Sequence, residues 1–138
     1  MKAAFPMLAL ALLAGCNAEP APLITVSDAR VISLPNSAAA YFTLANSGGR
    51  DRLIQVEAGG AGKASLHETS MDGDIMRMRA IDGGIEVPAR GRVRLSSGGM
   101  HVMIQDLARP LPPGSSVRLT LRLERQGEVV IAAPVGTP

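Results

Sequence analysis

The side chains of this chain best suited to coordination chemistry are two histidines and five methionines. His67, Met71, Met76, Met78, Met100, His101 and Met103 all fall between positions 67 and 103; the only other methionines, Met1 and Met7, lie in the apolar N-terminus. Methionine used as adaptable core filler would be spread over the whole chain. Confined to one stretch with both histidines, it reads instead as a donor set of neutral imidazole and thioether groups. Thioether sulfur is a poor ligand for magnesium, calcium or manganese and a weak one for zinc, but it suits Cu(I), as imidazole does. The acidic residues nearby, Glu68, Asp72, Asp74 and Asp82, match no EF-hand loop and read as a charged turn. The bland alternative is methionine packing in a core with histidine at the surface.

Strand geometry sharpens the first reading. In His101-Val102-Met103 the outer two side chains share a face, about 7 Å apart along a strand, while Val102 points the other way. Met76 and Met78 share a face by the same rule, with Arg77 and Arg79 opposite. His67 is expected to close an earlier strand, at the edge of a loop over 68–74. Donors from three strands would make a preformed site on a rigid scaffold, and Met100 would face away from His101.

The elements that must position these residues read as short strands. They are expected over 23–32, 37–44, 52–57, 63–68, 75–81, 84–87, 92–95, 101–105, 116–124 and 128–132. Gly, Pro, Asn or Asp punctuates nearly every gap, with 15 glycines and 10 prolines in the chain. The segment Val117 to Glu124 alternates strictly, apolar at odd positions, as a strand with one wet face does. No long window after position 22 holds a helical period. The pattern predicts an all-β, antiparallel sandwich or barrel. Its core must be aliphatic, because aromatics are 2% of the 138 residues and Trp is absent. A formal net charge of +2 without a basic stripe argues against a nucleic-acid partner. No H-E-x-x-H, nucleophile elbow or triad pattern is present, so the chain does not read as an enzyme.

The N-terminus begins Met1-Lys2 and continues as an apolar run to Gly15, the length of a signal-peptide core and too short to span a bilayer. The run ends Leu13-Ala14-Gly15-Cys16, which resembles a bacterial lipoprotein signal. That resemblance implies cleavage before Cys16, acylation of Cys16, and a periplasmic domain anchored to a membrane, inner or outer. The expected organisation is a signal peptide over 1–15, a lipidated Cys and short tether over 16–22, a β domain over 23–134 and a tail over 135–138. Cys16 is the lone cysteine, so no disulfide forms within the chain, and a blue-copper centre, which needs a thiolate, is excluded.

The spacing of the donors then carries a resemblance. His67 is followed by ten residues to Met78, and Met78 by 22 residues to His101-Val102-Met103. With LHETSM at 66–71, MRMR at 76–79, IEVPARG at 85–91, GGMHVMI at 98–104 and AAYFTLANSG at 39–48, the chain resembles the periplasmic copper chaperones of the PCu(A)C type. Their hallmark has one residue fewer in the second gap, and the extra residue here is assigned to the Gly83-Gly84 turn. The resemblance implies a cupredoxin-like β-sandwich that binds one Cu(I) per domain. By that resemblance His67, Met78, His101 and Met103 would be the ligands; beside them Met71 and Met76 are candidate secondary metal residues, as neighbours or transfer ligands. It further implies delivery of copper toward the CuA centre of cytochrome c oxidase or to another copper chaperone. Alternatives are a copper buffer or resistance protein, or a metal-free lipoprotein whose β-sandwich binds a protein partner.

Overall fold

The computed structural model describes residues 18–137, so Cys16 and the signal-like segment lie outside the described residues. Ten strands form: β1 (Ile24–Ser33), β2 (Ala38–Asn46), β3 (Asp51–Glu57), β4 (Lys63–Asp72), β5 (Ile75–Ala80), β6 (Ile85–Val87), β7 (Arg92–Arg94), β8 (Met100–Gln105), β9 (Ser116–Leu123) and β10 (Gly127–Gly136). They make one sheet in the order β5-β4-β8-β2-β1-β10-β9-β3-β6, with β7 added to β2. The all-β expectation holds. One pairing departs from the antiparallel pattern: β1 and β10 run parallel, Val31 beside Val135 and Ile32 beside Gly136. Val135 and Gly136, expected in a tail, thus finish β10, and Val135 is buried. Pro134 takes an exposed place in the alternation there, and proline, being depleted in strands, hides the strand's last residues from a sequence reading.

A single apolar cluster takes side chains from both halves of the sheet, which is open, β5 and β6 being its unpaired ends, and folds over on this core. Ala38, Ala40, Phe42, Leu44, Leu66, Val102 and Ile104 meet Leu53, Val117, Leu119, Leu121, Leu123 and Val135. The period-2 pattern does this: Val117, Leu119, Leu121 and Leu123 are all buried while Arg118 and Arg122 between them are exposed. No methionine belongs to the fully buried set.

The main correction concerns β4. His67 lies in mid-strand, because β4 continues to Asp72 and joins β5 through the two residues Gly73 and Asp74. Gly73, at φ +63°, takes the left-handed conformation a tight hairpin turn requires. Thr69 to Ala80 is therefore the greater part of a two-stranded arm, β5 being exposed along its whole length. One face of the arm carries Met71 opposite Met76 and Thr69 opposite Met78; the other sets Glu68 opposite Arg79 and Ser70 opposite Arg77. A strand wet on both faces has no apolar alternation, and 68–74 reads as a loop from sequence for that reason, while the expected strand over 75–81 is found as β5. Arg77 and Arg79 on this outermost strand also discourage edge-to-edge pairing.

Residues 19–22, expected within a tether, are bonded to the domain. Gly49 N–H donates to Ala21 O at 3.0 Å, Ser47 N–H to Leu23 O at 3.0 Å, and the Arg125 guanidinium to Pro20 O at 3.2 Å. Glu19 pairs with Arg50 at 3.1 Å. A Cβ on Gly48 or Gly49 would collide with the backbone of Ala21 or Pro20, so glycine is what admits this segment. Below it, the buried Asp51 carboxylate accepts backbone N–H bonds from Arg52, Arg125 and Gln126, each at 2.8 Å.

Candidate metal centre

Antiparallel pairing places residues directly opposite one another on one face, and here it aligns the donors in rows. The central row crosses four strands: Arg30 on β1 opposite Tyr41 on β2, and His101 on β8 opposite His67 on β4. The side chains stack along it. The Arg30 guanidinium carbon lies 5.1 Å from the Tyr41 ring centre, Tyr41 lies 6.4 Å from His101, and the His101 and His67 rings are stacked at 5.9 Å. One row to one side, Met103 faces Ser65 of β4 and Ala39 of β2. One row to the other side, Met78 faces Thr69. His67, Met78, His101 and Met103 are thus gathered on the face of the sheet away from Val102, with His101 itself buried and the histidine pair bracketed by thioethers. Neighbours on the diagonal are about 7 Å apart, within the span of two converging long side chains.

Hydrogen bonds orient the imidazoles. His101 Nδ1 lies 3.1 Å from Gly99 O; donating there puts the proton on Nδ1 and leaves the lone pair on Nε2. His67 Nε2 lies 2.8 Å from Ser65 Oγ. When Nε2–H donates to that hydroxyl, Nδ1 keeps a lone pair. His67 Nδ1 is buried without any hydrogen-bond partner. A buried polar atom without a partner is costly unless something else uses it. Burial, and then the neighbouring His101, hold the His67 pKa below its ordinary value, so the imidazole stays neutral. Bonds from the second nitrogen of each ring are what fixes tautomer and aim in histidine metal sites.

Exposure separates the methionines. Met71, Met76 and Met78 are 62%, 68% and 52% exposed. Met103 is half-buried, and Met100, one residue before His101, turns inward against the core. Packing in a core therefore does not account for the methionines of the arm. Among the described residues no group of three or more His, Cys, Asp or Glu could hold a metal ion; the constellation is soft-donor in kind. Ser65, Gly99, Tyr41 and Arg30 escaped the sequence reading. Ser65 and Gly99 each precede a histidine by two, so the strand period alone could have flagged them. Tyr41 and Arg30 become neighbours only through cross-strand register.

The family model described as "Putative lipoprotein LpqE-like" matches residues 24–135. A relative from Leifsonia xyli subsp. xyli (strain CTCB07), named "Putative lipoprotein Lxx21020", is 30% identical over 98 residues. The match takes in 70% of this chain and 59% of the relative's length. Among solved structures, the copper-bound PCuAC domain from PmoF2 superposes with a TM-score of 0.70 at 28% identity, over 83% of this chain and 93% of that domain. Apo-DR1885 from Deinococcus radiodurans does so with a TM-score of 0.62 at 32% identity, over 100% of this chain and 95% of the other. The matched span runs from the first residue of β1 almost to the last of β10, and the same cupredoxin-like β fold recurs in the PCuAC domains; the chain belongs to the LpqE-like family.

Proposed function

We propose that this protein binds one Cu(I) through His67, Met78, His101 and Met103 and carries it as an extracytoplasmic copper chaperone. The observation that carries the reading is the unpartnered, buried Nδ1 of His67, stacked against His101 and flanked by thioether rows. All four donors are neutral, and two are thioethers, which favours Cu(I) over harder cations. Similarity to the copper-bound PCuAC domain from PmoF2 and to CuI-DR1885 supports the metal. His67, His101 and Met103 sit on strands of the packed sheet, while Met78 lies on the exposed arm. The first three hold the ion, and Met78 is the donor an incoming acceptor displaces.

The acceptor is the CuA centre of cytochrome c oxidase or another copper chaperone, in line with the PCu(A)C resemblance. Acylation of Cys16 would keep the domain at a membrane on the periplasmic side. Competition against a Cu(I) chelator tests the ligand set. One-to-one stoichiometry is expected, and Met78→Ala or Met103→Ala should weaken binding by at least about tenfold, the scale seen when metal-site partners are lost. Met100→Ala should leave affinity near that of the parent protein, because its side chain faces the core. Unchanged affinity in Met103→Ala would refute the assignment. Mixing the loaded protein with a copper-free CuA domain tests delivery; copper that stays with the chaperone would reassign it as a buffer.

A further inference from the structure

We infer that the β4–β5 arm carries a second, weaker Cu(I) site made of thioethers alone, Met71 with Met76, from which the ion steps through Met78 into the histidine site. The inference rests on the copper reading above and adds the route by which the ion arrives. Met71 and Met76 stand directly opposite each other, at a spacing that lets two flexible thioethers close on one ion. Both are among the most exposed apolar side chains of the described residues. Burial does not explain them, and strand propensity would favour β-branched residues instead. Ile75, the arm's one branched aliphatic, lies on the opposite face beside Asp72. On the sulfur-bearing face the apolar residues of the arm before Ala80 are methionines only.

The register makes these residues a path. Met76 and Met78 are two residues apart on one strand, about 7 Å. Met78 in turn is one row from His67. Apart from Asp74 in the turn, the carboxylates and guanidinium groups of the arm occupy the other face, where Asp72 pairs with Arg77 at 3.2 Å. The route is therefore neutral and soft from the tip of the arm to the histidines. Each step is a ligand exchange: one Cu–S bond forms to the next methionine before one to the previous methionine breaks. Copper remains Cu(I), and no proton or electron moves. An exposed pair without imidazole binds more weakly than the mixed site, so the ion runs downhill toward the sheet.

Silver(I), a soft ion that does not cycle between oxidation states, reports both sites in the purified protein with 13C-methyl methionine. The first equivalent should shift the Met78 and Met103 methyl signals. Further silver should then shift Met71 and Met76 in a weaker, separate phase. In Met71→Leu/Met76→Leu the first phase should persist unchanged, the second should vanish, and Cu(I) uptake from a chelated donor should slow several-fold. If the Met71 and Met76 methyls stay still in excess silver while Met78 and Met103 move, the arm site is refuted and the histidine site stands. An uptake rate in the double variant equal to the parent's would refute the route. If no methionine methyl moves, the copper reading itself fails.

Discussion

Protonation of His67 is the residue-scale property that would govern copper binding at the proposed site. His67 loses part of its hydration by burial and feels the His101 ring beside it, and both disfavour its charged form. A histidine whose pKa is lower folded than unfolded takes up its proton more readily in the unfolded chain. The metal-free protein therefore keeps its full stability above the ordinary value of 6.5 and loses some as pH falls through and below it. Melting temperatures should accordingly drop between neutral pH and about pH 5, and less so in His67→Gln. Protons also compete with copper for the same lone pairs, while thioethers do not titrate. Cu(I) affinity should be level near neutral pH and decline only below the ordinary histidine value of 6.5, because the His67 pKa is lowered. Affinity that held level to about pH 4 would exclude imidazole ligands.

At the scale of elements, two parts of the sheet behave oppositely. The sandwich depends on Asp51, whose carboxylate gathers the start of β3 and the β9–β10 turn. Asp51→Ala removes three charge-assisted acceptor contacts from buried surroundings and should cost about 2–4 kcal/mol, read by denaturant unfolding. Leu121→Ala, emptying a fully buried position of β9, should cost about 2–5 kcal/mol. The arm, exposed along all of β5, is expected to contribute little to stability. Arg77→Ala, which removes the exposed pair with Asp72, should change stability by under about 1 kcal/mol. An Arg77→Ala protein destabilised as strongly as Asp51→Ala would show that the arm is part of the folding unit. Standing outside the core, the arm leaves Met71, Met76 and Met78 exposed at the surface.

For the whole molecule, the position of the docked N-terminal segment matters most. From Cys16 to Glu19, the first of the described residues bonded to the domain, an extended chain reaches at most about 10 Å. An acylated Cys16 would then hold the sandwich close against the bilayer. The segment docks at the Asn46 end of β2, and the Tyr41–His101 row lies about 17 Å farther along that strand. An anchor at Cys16 would thus leave the proposed metal face clear of the lipid. Cell fractionation should find the protein with a membrane, and Cys16→Ala should release it or leave it uncleaved. A soluble wild-type protein would remove the anchor from the account and leave a freely diffusing carrier.

Much of this was legible without a structure, for a physical reason. Alternation has period two in a strand, so Val117 to Leu123 declares its buried face, and His101-Val102-Met103 declares that its two donors share the other. The choice of soft donors is a property of residue type and needs no coordinates. What the tertiary structure decided is everything that depends on which strand lies beside which. Register put His67 opposite His101 and both between Met78 and Met103, and it brought in Tyr41 and Arg30 from strands far away in sequence. It also turned the stretch after His67 from an expected loop into an arm, since a strand wet on both faces carries no apolar period to read. The parallel closure of β1 on β10 joins the first strand to the last, and nothing local in either segment encodes that partner.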